Sequence, residues 1–390
     1  MARRHTPAPR PRRTVRAGRT SRWVPKALAV LAVLALLPAP AAARTASSDP
    51  APPSVPAPRP SGSSQPAPSP SVPEKTRTVS AWLPYWDQEN AYRSALAHAA
   101  QLRTVSPFWY ETRSAGEVAG FPGAGDRTII DGLRARGVQV VPTVMEQLPP
   151  GALAAVMTSP EQRAAHIDTL LTVVRSRAYD GLDIDYESIA PTPEATYPAV
   201  RDGFADFVTG LCARLHAVDK QCVVTVSPKT RSTGRIWDYK RLGAAADRLR
   251  VMAYNLHDAG GTPGPLSTPQ WYDEILTRAT AEVPLEKLEM GLPAYGWDWT
   301  RGRAGRAGHV TSRQAEALRR EVGAAYTLDP ESRTPHFTYT KDGEQHDVWY
   351  QDARGVAEHL PVLHRYGVRD TVLWALGFEE PALWRTLEES

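Results

Sequence analysis

Eight short runs of apolar, largely β-branched residues recur along the chain, and helical patterns lie between several of them. They occupy residues 79–83, 104–109, 138–144, 182–186, 223–227, 249–254, 288–292 and 371–376. Helix-then-strand order belongs to a parallel α/β sheet, and eight such units predict a (β/α)8 TIM barrel. One interval, about 297–352, is too long for a plain strand–helix unit. It holds Phe337-Thr338-Tyr339-Thr340 and His346-Asp347-Val348-Trp349-Tyr350 around the turn signal Asp342-Gly343. A small α+β insertion bearing a hairpin is therefore expected between strands seven and eight. The whole unit spans residues 76–390, long for an average domain but normal for one barrel.

The fourth run carries an unusual charge density: Asp180-Gly181-Leu182-Asp183-Ile184-Asp185-Tyr186-Glu187. Side chains alternate along a strand, so Asp183, Asp185 and Glu187 share one face while Leu182, Ile184 and Tyr186 share the other. Same-face neighbours lie roughly 6–7 Å apart. Like charges at that range cannot all ionise comfortably, so at least one acid keeps a proton at neutral pH. A calcium loop is excluded, because Ser188 stands where the sharp turn needs Gly, and Pro191 and Pro193 follow. A solvent-facing edge strand fits poorly with the apolar helix pattern Ile167, Leu170, Leu171, Val174 leading into it. The residues point to acid–base catalysis.

Residues 1–43 contain nine Lys or Arg and no acid, then an apolar run at 27–37 and the small residues Ala41-Ala42-Ala43. This reads as a secretory signal peptide, too short to span a membrane. Arg12-Arg13 is a weak twin-arginine signal, and no Cys follows to carry a lipid, so no stable membrane anchor is expected. Removing those nine cations takes the net charge from +4 to about −5, so nucleic acid is a poor partner. Residues 44–75, rich in Pro, Ser and Ala, read as an extended, disordered linker. Cys212 and Cys222 are the two cysteines. Both lie in the exported part and flank one tight connection, so a disulfide is expected, with two buried thiols as the alternative. His216 lies one turn after Cys212, but no further ligand completes a zinc pattern, and the reading requires no metal and no cofactor.

Aromatic residues collect at the C-terminal ends of the strands, where barrels place their chemistry: Trp82, Tyr85, Trp86, Trp109, Tyr110, Tyr254, Tyr295, Trp297, Trp299 and Trp374. A concave, acid-bottomed, aromatic-walled cleft suits sugar rings. Asp180-x-x-Asp183-x-Asp185-x-Glu187 resembles the strand-four signature of glycoside hydrolase family 18. Met252-Ala253-Tyr254-Asn255, Gly291-Leu292-Pro293-Ala294-Tyr295-Gly296-Trp297-Asp298-Trp299 and Trp374 resemble that family's elements on strands six, seven and eight. The last two, with His346-Asp347-Val348-Trp349-Tyr350-Gln351-Asp352-Ala353, are most similar to the bacterial branch that includes spore-cortex peptidoglycan hydrolases. Two positions depart from the pattern. Asn255 stands where the family usually has Asp, and Val141-Pro142-Thr143-Val144 replaces the Ser-x-Gly-Gly of typical chitinases.

The resemblance implies a retaining mechanism in which the substrate's N-acetyl oxygen is the nucleophile. Glu187 would be the general acid, and Asp185 would stabilise the oxazolinium while sharing a proton with Asp183. Tyr254 would hold the acetamido oxygen and Trp374 would stack beneath the sugar. Asp180, Asn255, Tyr85, Trp109, Tyr295 and Trp297 are placed with substrate binding. The expected partner is a glycan containing N-acetylglucosamine (peptidoglycan, chitin or N-glycan), acted on by a monomeric secreted enzyme. Strand spacing alone also allows a conventional site with Asp185 as nucleophile. A catalytically weak carbohydrate-binding protein and a structural cell-wall protein are the alternatives from other classes.

Overall fold

The computed structural model describes residues 77–189 and 194–390. The signal-like leader over 1–43 and the Pro-rich linker over 44–75 lie outside the described residues. The strands are β1 (Thr78–Pro84), β2 (Leu102–Ser114), β3 (Glu117–Gly120), β4 (Gln139–Val140), β5 (Thr143–Glu146), β6 (Gly181–Asp185), β7 (Gln221–Val226) and β8 (Arg248–Val251). They continue with β9 (Leu288–Pro293), β10 (Tyr295–Thr300), β11 (Gly308–Thr311), β12 (Thr327–Leu328), β13 (Pro335–Lys341), β14 (Glu344–Tyr350) and β15 (Asp370–Trp374). The parallel strands run β1-β15-β9-β8-β7-β6-β5-β2, and β2 pairs back onto β1 to close an eight-stranded barrel. Pro142 splits the third barrel strand into β4 and β5, because it has no N–H for the ladder. Its carbonyl still accepts the Asp183 N–H at 3.0 Å.

The helices are α1 (Gln88–Ala97), α2 (Arg127–Arg134), α3 (Ala152–Thr158), α4 (Pro160–Arg177) and α5 (Tyr197–His216). After them come α6 (Tyr239–Ala245), α7 (Pro269–Glu282), α8 (Ser312–Glu321), α9 (Ala353–Arg365) and α10 (Pro381–Glu388). α4 shows the local logic. The Ser159 side chain accepts the Gln162 N–H, Pro160 pre-sets the first turn, and Ala178 ends the helix in a left-handed conformation. Its buried stripe His166, Ile167, Leu170, Leu171 and Val174 covers the barrel wall, each buried aliphatic contributing about 1.5–3 kcal/mol.

Two features extend the barrel at its C-terminal mouth. β2 runs on for 13 residues and folds back antiparallel onto β3, a hairpin that the strand pattern did not signal. Between β9 and β15 lies a five-stranded antiparallel sheet, β11-β10-β14-β13-β12, backed by α8. Its β13–β14 hairpin turns at Asp342 (φ 53°) and Gly343 (φ 81°), the two positive φ values that a tight two-residue hairpin requires.

Cys212 of α5 and Cys222 of β7 are bonded, with S–S 2.07 Å and Cα–Cα 5.1 Å. His216 pairs instead with Asp247 at 2.9 Å. The closed loop is short, so replacing both cysteines by serine should cost about 3 kcal/mol or less. Chemical denaturation of the double variant beside the oxidised protein checks this. A much larger loss would mean that the pair does more than close a loop.

Candidate active site

β6 delivers its acids to the barrel lumen because its helix-facing positions, Leu182 and Ile184, are fully buried in the core. Asp183 lies deepest and is saturated with donors. One oxygen accepts Thr225 Oγ1 at 2.8 Å, and the other accepts Trp82 Nε1 (2.9 Å), Thr143 Oγ1 (2.8 Å) and Arg250 Nη1 (2.9 Å). Arg250 is completely buried and also bonds Glu289 at 2.7 Å and Ser106 at 2.7 Å, while Ser80 donates to Glu289 at 2.8 Å. A buried charge needs such partners. Asp183 is thus tied to four buried partners on four other strands.

Asp185, two residues nearer the mouth, is 6% exposed, and its Oδ1 has no hydrogen-bond partner among the described residues. Burial pushes its carboxyl well above the ordinary range, and Glu187, Asp183 and Glu146 push further while Arg250 opposes them. Burial and these acidic neighbours all favour the protonated form of Asp185. Glu187 lies two residues beyond the end of β6, half-buried at the mouth. Desolvation, then the charge of Glu146, pushes it up to about 7. Tyr254 follows β8 and is nearly buried. Burial, then Tyr295 and the nearby acids, holds its phenol well above its ordinary value, so it is a neutral donor. Gly291 of β9 makes room for it: a Cβ there would lie 2.7 Å from the Val251 carbonyl and 2.9 Å from Tyr254 Cε1.

Trp374 closes β15 and sets the aromatic floor, edge-on to Trp82 at 5.6 Å and Phe108 at 5.3 Å, with Trp86 at 6.3 Å. Tyr85 extends this wall outward. It stacks on Phe121 at 4.2 Å and meets Trp86 edge-on at 5.0 Å. Asn255, in a left-handed conformation (φ 64°) that Asn tolerates well, accepts Tyr295 Oη at 2.6 Å and Trp297 Nε1 at 3.2 Å on one carboxamide oxygen.

Several residues placed with substrate binding are elsewhere. Trp109 is 0% exposed; it packs against Tyr179 on the helix side and donates to Gln88 at 2.6 Å. Adjacent strand residues face opposite ways, and Phe108 is the one that meets Trp374. Asp180 lies at the opposite end of the strand from Glu187. It is paired with Arg134 at 2.9 Å and accepts the Val140 N–H at 2.8 Å, a structural anchor. Tyr295 and Trp297 are nearly buried, so they brace the Asn255 loop more than they offer a face to ligand. Glu146, Arg250 and Glu289 were not singled out from the sequence.

Crowded, buried carboxyls pushed upward by burial and by one another, beside aromatic rings, define the class: an enzyme for acid–base cleavage of sugar linkages, a glycosidase. Residues 147–379, more than half of the chain, match the sequence profile of glycosyl hydrolases family 18, and the chain belongs to that family. It is similar to an uncharacterized glycosylase, YvbX, of Bacillus subtilis (strain 168): 26% identity over 61% of this chain and 70% of the relative. It is 28% identical to the cortical fragment-lytic enzyme of Bacillus anthracis over 67% of this chain, and spans only 62% of that relative's length. The crystal structure of a chitinase from Chromobacterium violaceum ATCC 12472 superposes with TM-score 0.71 at 26% identity, covering 80% of this chain and 98% of that one.

Proposed function

We propose that this protein is a secreted, retaining glycosidase that cleaves β-linked, N-acetylglucosamine-containing polysaccharide with the substrate's own acetamide as nucleophile. The observation that carries this reading is the buried Asp185 carboxyl, whose Oδ1 has no partner among the described residues and which burial and the neighbouring Glu187 push toward its neutral form. A neutral carboxyl is a poor nucleophile, which disfavours the conventional double-displacement site that strand spacing alone allows. It is well suited to accept the acetamido N–H on Oδ1 while Tyr254 donates to the acetamido oxygen.

Glu187, protonated to about pH 7, transfers its proton to the glycosidic oxygen as that bond to the anomeric carbon breaks. The acetamido oxygen forms the new bond to the same carbon, giving a cyclic oxazolinium. Glu187 is now a carboxylate, so its negative charge balances the positive ring. Water then attacks the anomeric carbon, Glu187 takes its proton back, and the acetamide is released with configuration retained. Trp374 supports the sugar from below.

The polymer is proposed to be peptidoglycan-like or chitin-like, since relatives include a cortical fragment-lytic enzyme and a chitinase of known structure. The basic leader and the Cys212–Cys222 bond support export. Reducing-end release from acetylated and de-N-acetylated forms of one glycan tests the mechanism. The deacetylated form should be essentially inert, and a thiazoline analogue of N-acetylglucosamine should inhibit. Comparable cleavage of both forms, or a glycosyl adduct on Asp185, would reverse the conclusion.

A further inference from the structure

Glu146 ends β5, the strand next to the catalytic strand β6, with Met145 in register with Asp185. Its side chain is 4% exposed. One carboxylate oxygen accepts the Ser188 N–H at 2.6 Å, and the other the Leu148 N–H at 3.3 Å. The first bond fixes the peptide that leaves Glu187, just where the chain has run out of strand ladder to hold it. A glutamine could make the same bond without burying a charge. The carboxylate is thus more than the anchor requires.

We propose that Glu146 is a positioning residue of this active site, which holds the Glu187–Ser188 peptide and places a third carboxylate beside the general acid. The groups around Glu187 come from four elements: Asp185 from β6, Glu146 from β5, Tyr254 after β8 and Tyr295 from β10. Among the buried groups beneath them, Arg250 is the cation, and it is bound to Asp183 and Glu289. Burial raises the Glu146 carboxyl above its ordinary range, and the backbone N–H donors that reach it act against this and favour its ionised form. No donor among the described residues reaches Glu187. The two glutamates therefore divide the labour: Glu146 holds the negative charge and Glu187 holds the proton.

This inference rests on Glu187 being the general acid. The test is the pH profile of kcat/KM for the full chain, on whichever of chitin oligomers or peptidoglycan fragments it cleaves. Glu146→Gln keeps an acceptor for Ser188 but removes the charge, so Glu187 should lose its proton at lower pH. The alkaline limb should move down by about one unit, a roughly tenfold loss above the limb, with acid-side turnover falling much less. Glu146→Ala, which also releases the peptide, should lower kcat at every pH. An alkaline limb of Glu146→Gln that coincides with the parent's overturns the proposal. A second measurement does not depend on that variant folding. In the parent, carboxyl carbon NMR should resolve two steps for this pair, and Glu187→Gln should remove the upper step and leave Glu146 titrating in the lower one. Loss of the lower step instead overturns the proposal too. If Glu187→Gln is inactive while the Glu146 signatures are absent, the Glu146 inference alone fails. If Glu187→Gln retains parent-like turnover, the assignment of the acid fails with it.

Discussion

Glu187→Gln is expected to lower turnover by on the order of 10²–10⁴ while leaving the fold and glycan binding in place. The amide fits the same half-buried position at the mouth but cannot give up a proton to the leaving oxygen. The pH dependence has a definite sign. Glu187 is raised to about 7, and the working form is the protonated one, so kcat/KM in the parent should fall as pH rises through that value. The variant's residual activity should lack this limb. Binding can be followed by titrating a short N-acetylglucosamine oligomer into both proteins by calorimetry. Parent-like hydrolysis by Glu187→Gln would remove the acid from the mechanism proposed here.

The second large effect concerns stability. Arg250→Met should cost about 3–5 kcal/mol, because removing one partner of a buried ion cluster leaves uncompensated charge behind. Asp183 loses its guanidinium, Glu289 keeps only the more distant Arg248 and Arg103 at 3.7 and 3.8 Å, and Ser106 loses its donor. Urea unfolding should show a lower midpoint with a little-changed slope. An unchanged midpoint would mean that the cluster carries no net stability.

The barrel was legible because its strands are covered by helices, which leaves eight apolar runs that irregular or antiparallel structure would not produce. The acidic strand was legible because period two is simple to count. The same counting shows where reading by proximity went astray. Trp109 follows Phe108, so the two cannot both face the lumen. Asp180 is three residues from Asp183, which puts it on the opposite parity and at the far end of the strand. Glu146 was silent because one acid at the end of Thr143-Val144-Met145 has the look of a strand meeting solvent. Only its bond to Ser188, 42 positions away, gives it meaning. Arg250 and Glu289 did leave a signal, a charged residue inside each of the apolar runs 249–254 and 288–292. Their pairing across neighbouring strands is a tertiary fact that no local pattern carries. The β2–β3 hairpin was missed because polar residues 111–117 read as a loop, and with it went Phe121, the stacking partner of Tyr85.

Asn255 binds the barrel to its inserted sheet, and that has a consequence for engineering. Its carboxamide oxygen takes two donors from β10, Trp299 donates to the Gly261 carbonyl at 3.1 Å, and the Ala307 N–H reaches the Ala259 carbonyl at 2.8 Å. The loop after β8 and the sheet after β9 are thus parts of one module, although α7 and β9 separate them in sequence. A chimera that swaps the sheet alone would strand Tyr295, Trp297 and Trp299 without their acceptors. A graft that carries residues 255–267 together with 295–352 keeps every one of these bonds inside the transferred piece, which makes that pair of segments the natural unit of exchange between barrels of this family.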